Sequence, residues 1–400
     1  MEVLIFGGDG FCGWPTALHL SRLGYSVVII DNFERRSIDV ELDVAPAVPI
    51  SSLDERIARW NRISGRNLSS VELTLGESYE QLAALIAKHQ PEAVIHFAEQ
   101  RSAPYSMKSS RHRNYTVERN IAATQHLLTA IAYESPETHL IHLGTMGVYG
   151  YGGENQWPIH EGYISVAPTT DSSLPQEILF PTSPGSIYHL TKSMDQLMFQ
   201  FAQRNDGLAI TDLHQGIVWG FETEETRLHP HLANRFDYCG DFGTVLNRFI
   251  VQALLRHPLS VYGTGGQTRA FINIQDTVRC IELALTNKPN RGERVKIRNQ
   301  ATEVHSVRDL ANLISSEFDV PIENTANPRI ELESNDLPLE EVSFLSLGLN
   351  PTLLDSSSLR VISDSLTEYI ANCHVPRILP TSHWRIPAQM GGSLTESSRG

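Results

Sequence analysis

Gly7-Gly8-Asp9-Gly10-Phe11-Cys12-Gly13 stands directly behind a short apolar run, Glu2-Val3-Leu4-Ile5-Phe6, and just ahead of an amphipathic stretch from Pro15 to Leu23. The run has the composition of a buried strand and the stretch that of a helix. Three glycines divide the work of the turn between them. Gly7 permits the tight bend, Gly10 lets the backbone approach a pyrophosphate, and Gly13 lets the helix pack close to the strand. The helix N-terminus, with Phe11 and Cys12 leading into it, then offers N–H groups and a partial positive charge to phosphates. A second strand, Ser26 to Ile30, ends in Asp31 and Asn32. A carboxylate there accepts both ribose hydroxyls of NAD and repels the 2′-phosphate of NADP. Strand, loop, helix, strand and acid in this register predict an NAD site in a doubly wound parallel α/β sheet. Arg35 and Arg36 are the residues that would soften the exclusion of the extra phosphate.

Further units keep the alternation. Val71 to Leu75 reads as the third strand, and Glu77 follows where such folds place an acid against the adenine. Tyr79 to His89 reads as helix and Glu92 to Phe97 as the fourth strand. Ala98, Glu99, Gln100 and Arg101 come after its carboxyl end, where doubly wound sheets bind ligands. Arg101 can line that pocket or simply pair with Glu99 on the surface. A helix over 111–133 carries Asn120, and the fifth strand, Thr138 to Leu143, runs into Gly144-Thr145-Met146-Gly147. The segment 151–184, rich in Gly, Pro, Ser and Thr, reads as a loop over the site.

The next helix, Pro184 to Arg204, has proline in its first turn and carries Tyr188 and Lys192. Four residues apart, the two side chains share one helix face. A phenol ordinarily titrates near ~10, and a neighbouring ammonium favours its phenolate, which turns tyrosine into a base for a hydroxyl proton. Thr145 supplies the hydroxyl that would hold the same substrate oxygen. His189 is the best local candidate for further acid/base work because imidazole titrates near neutrality, although its position suits packing equally well.

Gly207 to Leu213 is a sixth strand, and beyond Phe221 the alternation breaks down. Helices are expected over 242–257, 277–285 and 307–318, with strands near 260–266 and 267–274, which together predict a smaller C-terminal α+β lobe closing a substrate cleft. Residues 1–220 are therefore assigned to the cofactor domain, with 32–67 as an insertion containing a short helix at 54–60. Residues 221–385 are assigned mainly to the second lobe, with 267–276 possible as a return to the first domain, and 386–400 to a disordered tail. Arg269 and Arg329 have the chemistry to neutralise a diphosphate.

Composition excludes several classes. A net charge of −14 with scattered basic residues argues against nucleic acid and anionic membranes. No apolar run approaches the ~20 residues of a membrane span. Four widely spaced cysteines suit a reducing compartment, and the strand pattern at the start leaves no room for a targeting peptide, so a cytoplasmic protein is expected. Sixteen histidines show no metal-ligand spacing, so no metal is expected.

With the glycine loop, Asp31, Thr145, Tyr188 and Lys192 in this order, the chain resembles the extended short-chain dehydrogenases/reductases that act on nucleotide sugars. Within them it is similar to the UDP-sulfoquinovose synthases from residue 2 to about 385. The carrying stretches are 7–14, 31–36, 54–60, 96–107, 144–147, 188–192, 242–249 and 262–269. The resemblance implies a Rossmann domain with tightly held NAD and a UDP-sugar in the cleft. It places the catalytic triad at Thr145, Tyr188 and Lys192, and substrate contacts at Gln100, Arg101, Gln215, Thr244, Asn247, Arg269 and Arg329. It also implies oxidation at C4 of the sugar, loss of water from C6, addition of sulfite and return of hydride, in a homodimer that packs its two long helices together.

Two positions depart from that pattern. Val148 stands where the group has glutamate, and His214 where it has asparagine. They bear on the later steps and not on the redox apparatus at C4. A UDP-sugar 4-epimerase or a 4-keto-forming dehydratase is the enzymatic alternative, and a non-catalytic NAD-binding regulator the remote one.

Overall fold

The computed structural model describes residues 1–150, 158–167, 175–339, 342–379, 381, 382 and 384. The expected tail, 386–400, lies outside the described residues. In chain order the first domain runs β1 (Glu2–Phe6), α1 (Gly13–Arg22), β2 (Ser26–Asp31), α2 (Glu34–Glu41), α3 (Leu53–Ser64), β3 (Ser69–Glu72) and α4 (Tyr79–His89). It continues with β4 (Ala93–His96), α5 (Ala103–Ser106), α6 (Ser110–Glu134), β5 (His139–Thr145), β6 (Tyr163–Val166), β7 (Gln176–Leu179), α7 (Ile187–Asp206) and β8 (Ala209–Gln215). Beyond it come β9 (Ile217–Trp219), α8 (Val245–Leu254), β10 (Leu259–Tyr262), β11 (Thr268–Asn273), α9 (Ile274–Thr286), β12 (Lys296–Gln300) and β13 (Glu303–Ser306). The last elements are α10 (Val307–Phe318), β14 (Ile322–Thr325), α11 (Ser343–Ser346) and α12 (Ser356–Thr367).

Seven strands form one sheet in the order β12-β8-β5-β4-β1-β2-β3, every pair parallel. The strand order reverses between β1 and β4, so the crevice for a ligand opens at their carboxyl ends. β1 and β4 are almost wholly buried, as expected of parallel strands covered on both faces. One face packs against α4, α6 and α7 through Leu82, Leu127, Ile131 and Phe199, and the other against α1 and α9 through Leu18, Leu20 and Ile281.

Several elements differ from the sequence expectation. β3 starts two residues earlier than the apolar pattern suggested, because Leu73 and Leu75 are buried beyond the ladder. The insertion is richer in helix than expected, holding both α2 and α3. α3 starts at a capping box in which Ser52 and Glu55 satisfy each other's backbone N–H groups. Trp60 donates to Ser21 and the Ala47 N–H to the Phe236 carbonyl, so the insertion ties α1 to the second lobe. The segment 151–184 contains an antiparallel hairpin, β6 with β7, in its described part.

The seventh sheet strand comes from an unexpected place. β12, Lys-Ile-Arg-Asn-Gln, lies in the stretch assigned to the second lobe yet pairs with β8. Its polar composition hid it, since Asn299 and Gln300 are fully buried, Asn299 accepting from the Tyr149 hydroxyl and Gln300 donating to the Thr277 carbonyl. β11, the stretch that seemed able to rejoin the first domain, instead pairs with β9 and β13 in a separate three-stranded sheet. The second lobe is completed by β10 with β14 and by α8, α10 and α12, packed through Phe249, Leu310, Ile314 and Leu359.

Candidate active site

A cleft of about 380 Å³ opens at the crossover point, lined by both lobes. Gly7, Gly10, Phe11, Cys12, Gly13, Asp31, Asn32, Arg35, Phe97 and Ala98 line one end of it. Gly7 and Gly13 serve the turn and the close packing that their spacing suggested. Gly7 sits at φ +81° with its Cα face against the backbone of Phe97 and Ala98, and a Cβ on Gly13 would collide with the Gly7 carbonyl. This cradle, closed by the Asp31 carboxylate, fits a dinucleotide. Asp31 accepts the N–H groups of Asp9 and Phe33, each at 2.8 Å. Burial raises its pKa, while these two hydrogen bonds act against that shift and favour the carboxylate, the form that accepts ribose hydroxyls and repels a phosphate.

Arg35 and Arg36 are committed elsewhere. Arg35 pairs with Asp39 and Asp237 and stacks 3.8 Å over the Phe242 ring. Arg36 forms a bidentate pair with Asp9, which also takes Arg56 of the insertion at 2.8 Å. Two guanidinium groups from residues 32–67 thus hold the acidic residue of the glycine loop. Neither is turned to the ribose acid as a phosphate partner.

Thr145, Tyr188, His189 and Lys192 meet in the same cleft, brought together by the end of β5 and the first turns of α7. Ser186 caps α7 by accepting the His189 N–H, and the Ser106 hydroxyl accepts the Tyr188 N–H, which fixes the start of the helix. The Thr145 hydroxyl accepts the Gly147 N–H at 3.1 Å, an arrangement that keeps its O–H donor for a second partner. The Lys192 ammonium is 2.8 Å from Glu99 and donates to the Leu143 carbonyl at 2.8 Å. Burial would lower Lys192, but Glu99 and Asp195 outweigh it and raise its pKa. Glu99 would be raised by burial, yet the Lys192 charge and two histidines hold it well below the usual carboxylate range. The ammonium beside Tyr188 is therefore permanent. His189 differs, because burial and the charges of Arg329 and Arg269 push its imidazole down to about 3. It is neutral at physiological pH, and its ring lies against Gly147 where any side chain would collide.

Gln100, Arg101, Gln215, Thr244, Arg269 and Arg329 line the remaining wall. Arg101 pairs with Asp237 at 2.6 Å, and not with Glu99 on the surface. Arg269 bonds Glu331, and Arg248 donates to the Tyr262 hydroxyl at 2.8 Å. Burial, with Arg269 and Arg248 nearby, lowers the Arg329 pKa despite Glu331, a repulsion that an anionic ligand would relieve.

Three expected contacts lie off the cleft wall. Glu77 is at the surface paired with Arg119, whose side chain is the one that reaches the cleft. Asn120 bonds both backbone groups of Gln100 and the Thr191 hydroxyl, which braces the loop after β4 against α7. Asn247 donates to the Asp237 carbonyl inside the second lobe. Val148 packs with Met146, Tyr149 and Phe180 in an apolar cluster. Sequence reasoning missed two acids and a histidine behind Lys192, namely Asp195, Asp212 and His142. They are isolated in the sequence, and only their unusual placement within strand and helix patterns signals them.

Among the described residues no helix is long and apolar enough to cross a membrane. The model of the NAD dependent epimerase/dehydratase family matches residues 3–297. The chloroplastic UDP-sulfoquinovose synthase of Spinacia oleracea is 41% identical over 391 residues, covering 96% of this chain and 79% of its own. The UDP-sulfoquinovose synthase of Sulfolobus acidocaldarius is 34% identical over 398 residues, 97% of this chain and 98% of its own. Among solved structures, a Bacillus cereus UDP-glucuronic acid 4-epimerase with UDP-glucuronic acid and NAD superposes with a TM-score of 0.65 at 22% identity, over 92% of this chain and 99% of that one. A Bifidobacterium longum UDP-glucose 4-epimerase with NAD+ and UDP superposes at 0.66 and 17%, over 95% and 100%. These superpositions establish a common fold. The sequence match and the cofactor cradle together establish that the chain is an NAD-dependent enzyme of the epimerase/dehydratase family.

Proposed function

We propose that the enzyme converts UDP-glucose and sulfite to UDP-sulfoquinovose through a transient 4-keto sugar. The observation that carries this is the convergence of Thr145, Tyr188 and Lys192 with the arginine-rich wall in one cleft, in a chain similar over nearly all its length to two UDP-sulfoquinovose synthases. Arg269, Arg329 and Arg248 are suited to the diphosphate. The Thr145 hydroxyl holds the C4 oxygen of the sugar, and Tyr188 as phenolate removes its proton. Lys192 stabilises that phenolate. NAD, when bound, supplies the acceptor for the hydride from C4 and returns it at the end. His189, neutral and buried, is suited to accept or relay a proton in the later steps, but not to act as a standing imidazolium acid. Glu99 lies with Lys192 and cannot replace the carboxylate missing at Val148. The protein is proposed to act in the cytoplasm, where its four buried free cysteines stay reduced, and as a homodimer through α6 and α7.

Incubation with UDP-glucose, with and without sulfite, followed by mass spectrometry of the nucleotide sugars, tests the reading. A sulfonated product that depends on sulfite is expected. An isobaric galactose product would replace the proposal with a 4-epimerase, and loss of water without sulfonation with a dehydratase.

A further inference from the structure

Asp9 is the acidic residue of the glycine loop, and three guanidinium N–H bonds converge on its carboxylate. Nε of Arg36 is 2.6 Å from Oδ2, Nη2 of Arg36 is 2.8 Å from Oδ1, and Nη1 of Arg56 is 2.8 Å from Oδ1. The backbone N–H of Asp9 meanwhile donates to Asp31 Oδ2 at 2.8 Å. The Arg36 guanidinium thus stands one aspartate side chain away from the acid that receives the ribose. Cofactor domains of this kind that take a 2′-phosphate hold it with an arginine near that acid. Arg36, in the first turn of α2 just beyond β2, is the right residue type for that task.

Its guanidinium is fixed elsewhere from two sides. Besides Asp9, Nη2 donates to the Ser51 carbonyl at 2.9 Å, next to the Ser52 cap of α3. The bidentate bond to Asp9 is the strong form of a carboxylate–guanidinium pair. That bond is the main support of the Arg36 charge and raises its pKa against burial. Arg56, on α3, is 1% exposed and stacks 3.9 Å over the Trp14 ring of α1.

An aspartate is an unfavourable residue in a loop that approaches a pyrophosphate. Its charge also acts on Asp31, whose pKa is raised by burial first and by Asp9 after it. Arg36 and Arg56 offset that repulsion, so the four side chains carry no net charge beside the ribose. A loop without the aspartate would need neither arginine, so the neutral sum alone does not account for Asp9.

We propose that Asp9 is a specificity-determining residue of the cofactor site: by binding Arg36 it withholds from the ribose the guanidinium that a 2′-phosphate would need. Two acids then divide the discrimination between dinucleotides. Asp31 repels the extra phosphate directly, and Asp9 removes its counter-charge. The insertion contributes Arg56 and the Ser51 carbonyl, which hold Asp9 and Arg36 in this arrangement. A merely structural tie between loop and insertion would leave the choice of dinucleotide to Asp31 alone.

Cofactor exchange on the full-length, NAD-loaded chain tests this. The protein is equilibrated with equal amounts of NADP and isotope-labelled NAD until the label has replaced the resident cofactor. It is then desalted, and the bound dinucleotides are released and separated. Asp31→Ser alone is expected to take up little NADP, because Arg36 stays on Asp9. Asp9→Asn in that background keeps the backbone N–H and frees Arg36. The bound NADP-to-NAD ratio should then rise about tenfold or more, the scale of a charge-assisted contact to phosphate. Adding Arg36→Gln should return the ratio to that of Asp31→Ser.

Asp9→Asn leaves the buried Arg56 without its carboxylate. Should that variant fail to fold, Arg56→Met is added, which keeps an uncharged chain of similar volume over Trp14. A ratio that Asp9→Asn leaves unchanged, with or without Arg56→Met, overturns the assignment. So does a ratio that rises equally when Arg36 is also replaced, because the lost negative charge would then be the whole effect. The readout needs no nucleotide sugar, so its outcome is independent of the reaction proposed above.

Discussion

Tyr188 and Lys192 show how much a single pair can carry. One turn apart on α7, they need only the helix to be neighbours, and the ion pair of Lys192 with Glu99 keeps the ammonium charged beside the phenol. Tyr188→Phe removes one hydroxyl from a side chain already held by its backbone N–H. We expect it to lower the rate of hydride transfer by at least ~1,000-fold, the scale of a lost general base. NAD retention should be nearly unchanged, because the cradle built from Gly7 to Asp31 is untouched. Absorbance of bound cofactor near 340 nm after addition of UDP-glucose, with NAD content measured in parallel, checks both. Activity that survives would remove Tyr188 from the mechanism.

At the scale of elements, α7 has two faces with different tasks. One buries His189, Lys192, Asp195 and Phe199 against the sheet, while Leu190, Leu197 and Phe201 fall on the outer face with Leu197 63% and Phe201 62% exposed. Tyr133 at the end of α6, in the same helical layer, is exposed as well. Apolar side chains at i, i+7 and i+11 form a stripe, and such an exposed stripe marks a contact surface. Phe201→Glu places a charge in that stripe without touching the cleft. It is expected to turn a sedimenting dimer into a monomer while NAD stays bound. A wild-type chain that sediments as a monomer at micromolar concentration would refute the dimer.

For the whole molecule, the buried histidines predict a stability optimum near pH 6.5. His139 and His189 are pushed down to about 3, by burial first and by nearby cations second. Below the ordinary histidine pKa the unfolded chain binds protons that the folded chain refuses, so stability falls as pH drops from ~6.5 toward 3. Each group contributes about 1.4 kcal/mol per pH unit. His142 acts on the other side. Raised to about 9, it stabilises fully below ~6.5 and loses that contribution as pH climbs toward 9. Urea unfolding at pH 5, 6.5 and 8.5 should show the maximum in the middle. A midpoint that rises steadily from pH 5 to 8.5 would contradict the assignment of these groups.

Much of the fold was legible because it is written locally. The β1–loop–α1–β2 unit follows from apolar runs and glycine spacing, and the Tyr188–Lys192 pair from helical geometry. β12 was not legible, because a strand whose buried residues are Asn299 and Gln300 has no apolar period to read. The capping box at Ser52 and Glu55 was present in the sequence, but the packing of α3 on α1 through Trp60 and Ser21 is a tertiary contact. Local order thus determined the cofactor loop and the catalytic pair, since each rests on contacts within a few residues, whereas the sheet joins strands far apart in the chain. Only the tertiary structure decided what surrounds Lys192. Glu99, His142, Asp195 and Asp212 come from separate strands and a helix, and they meet because parallel strands align their carboxyl ends at the crossover. Their charges are set by burial and by one another, which no isolated stretch of sequence contains.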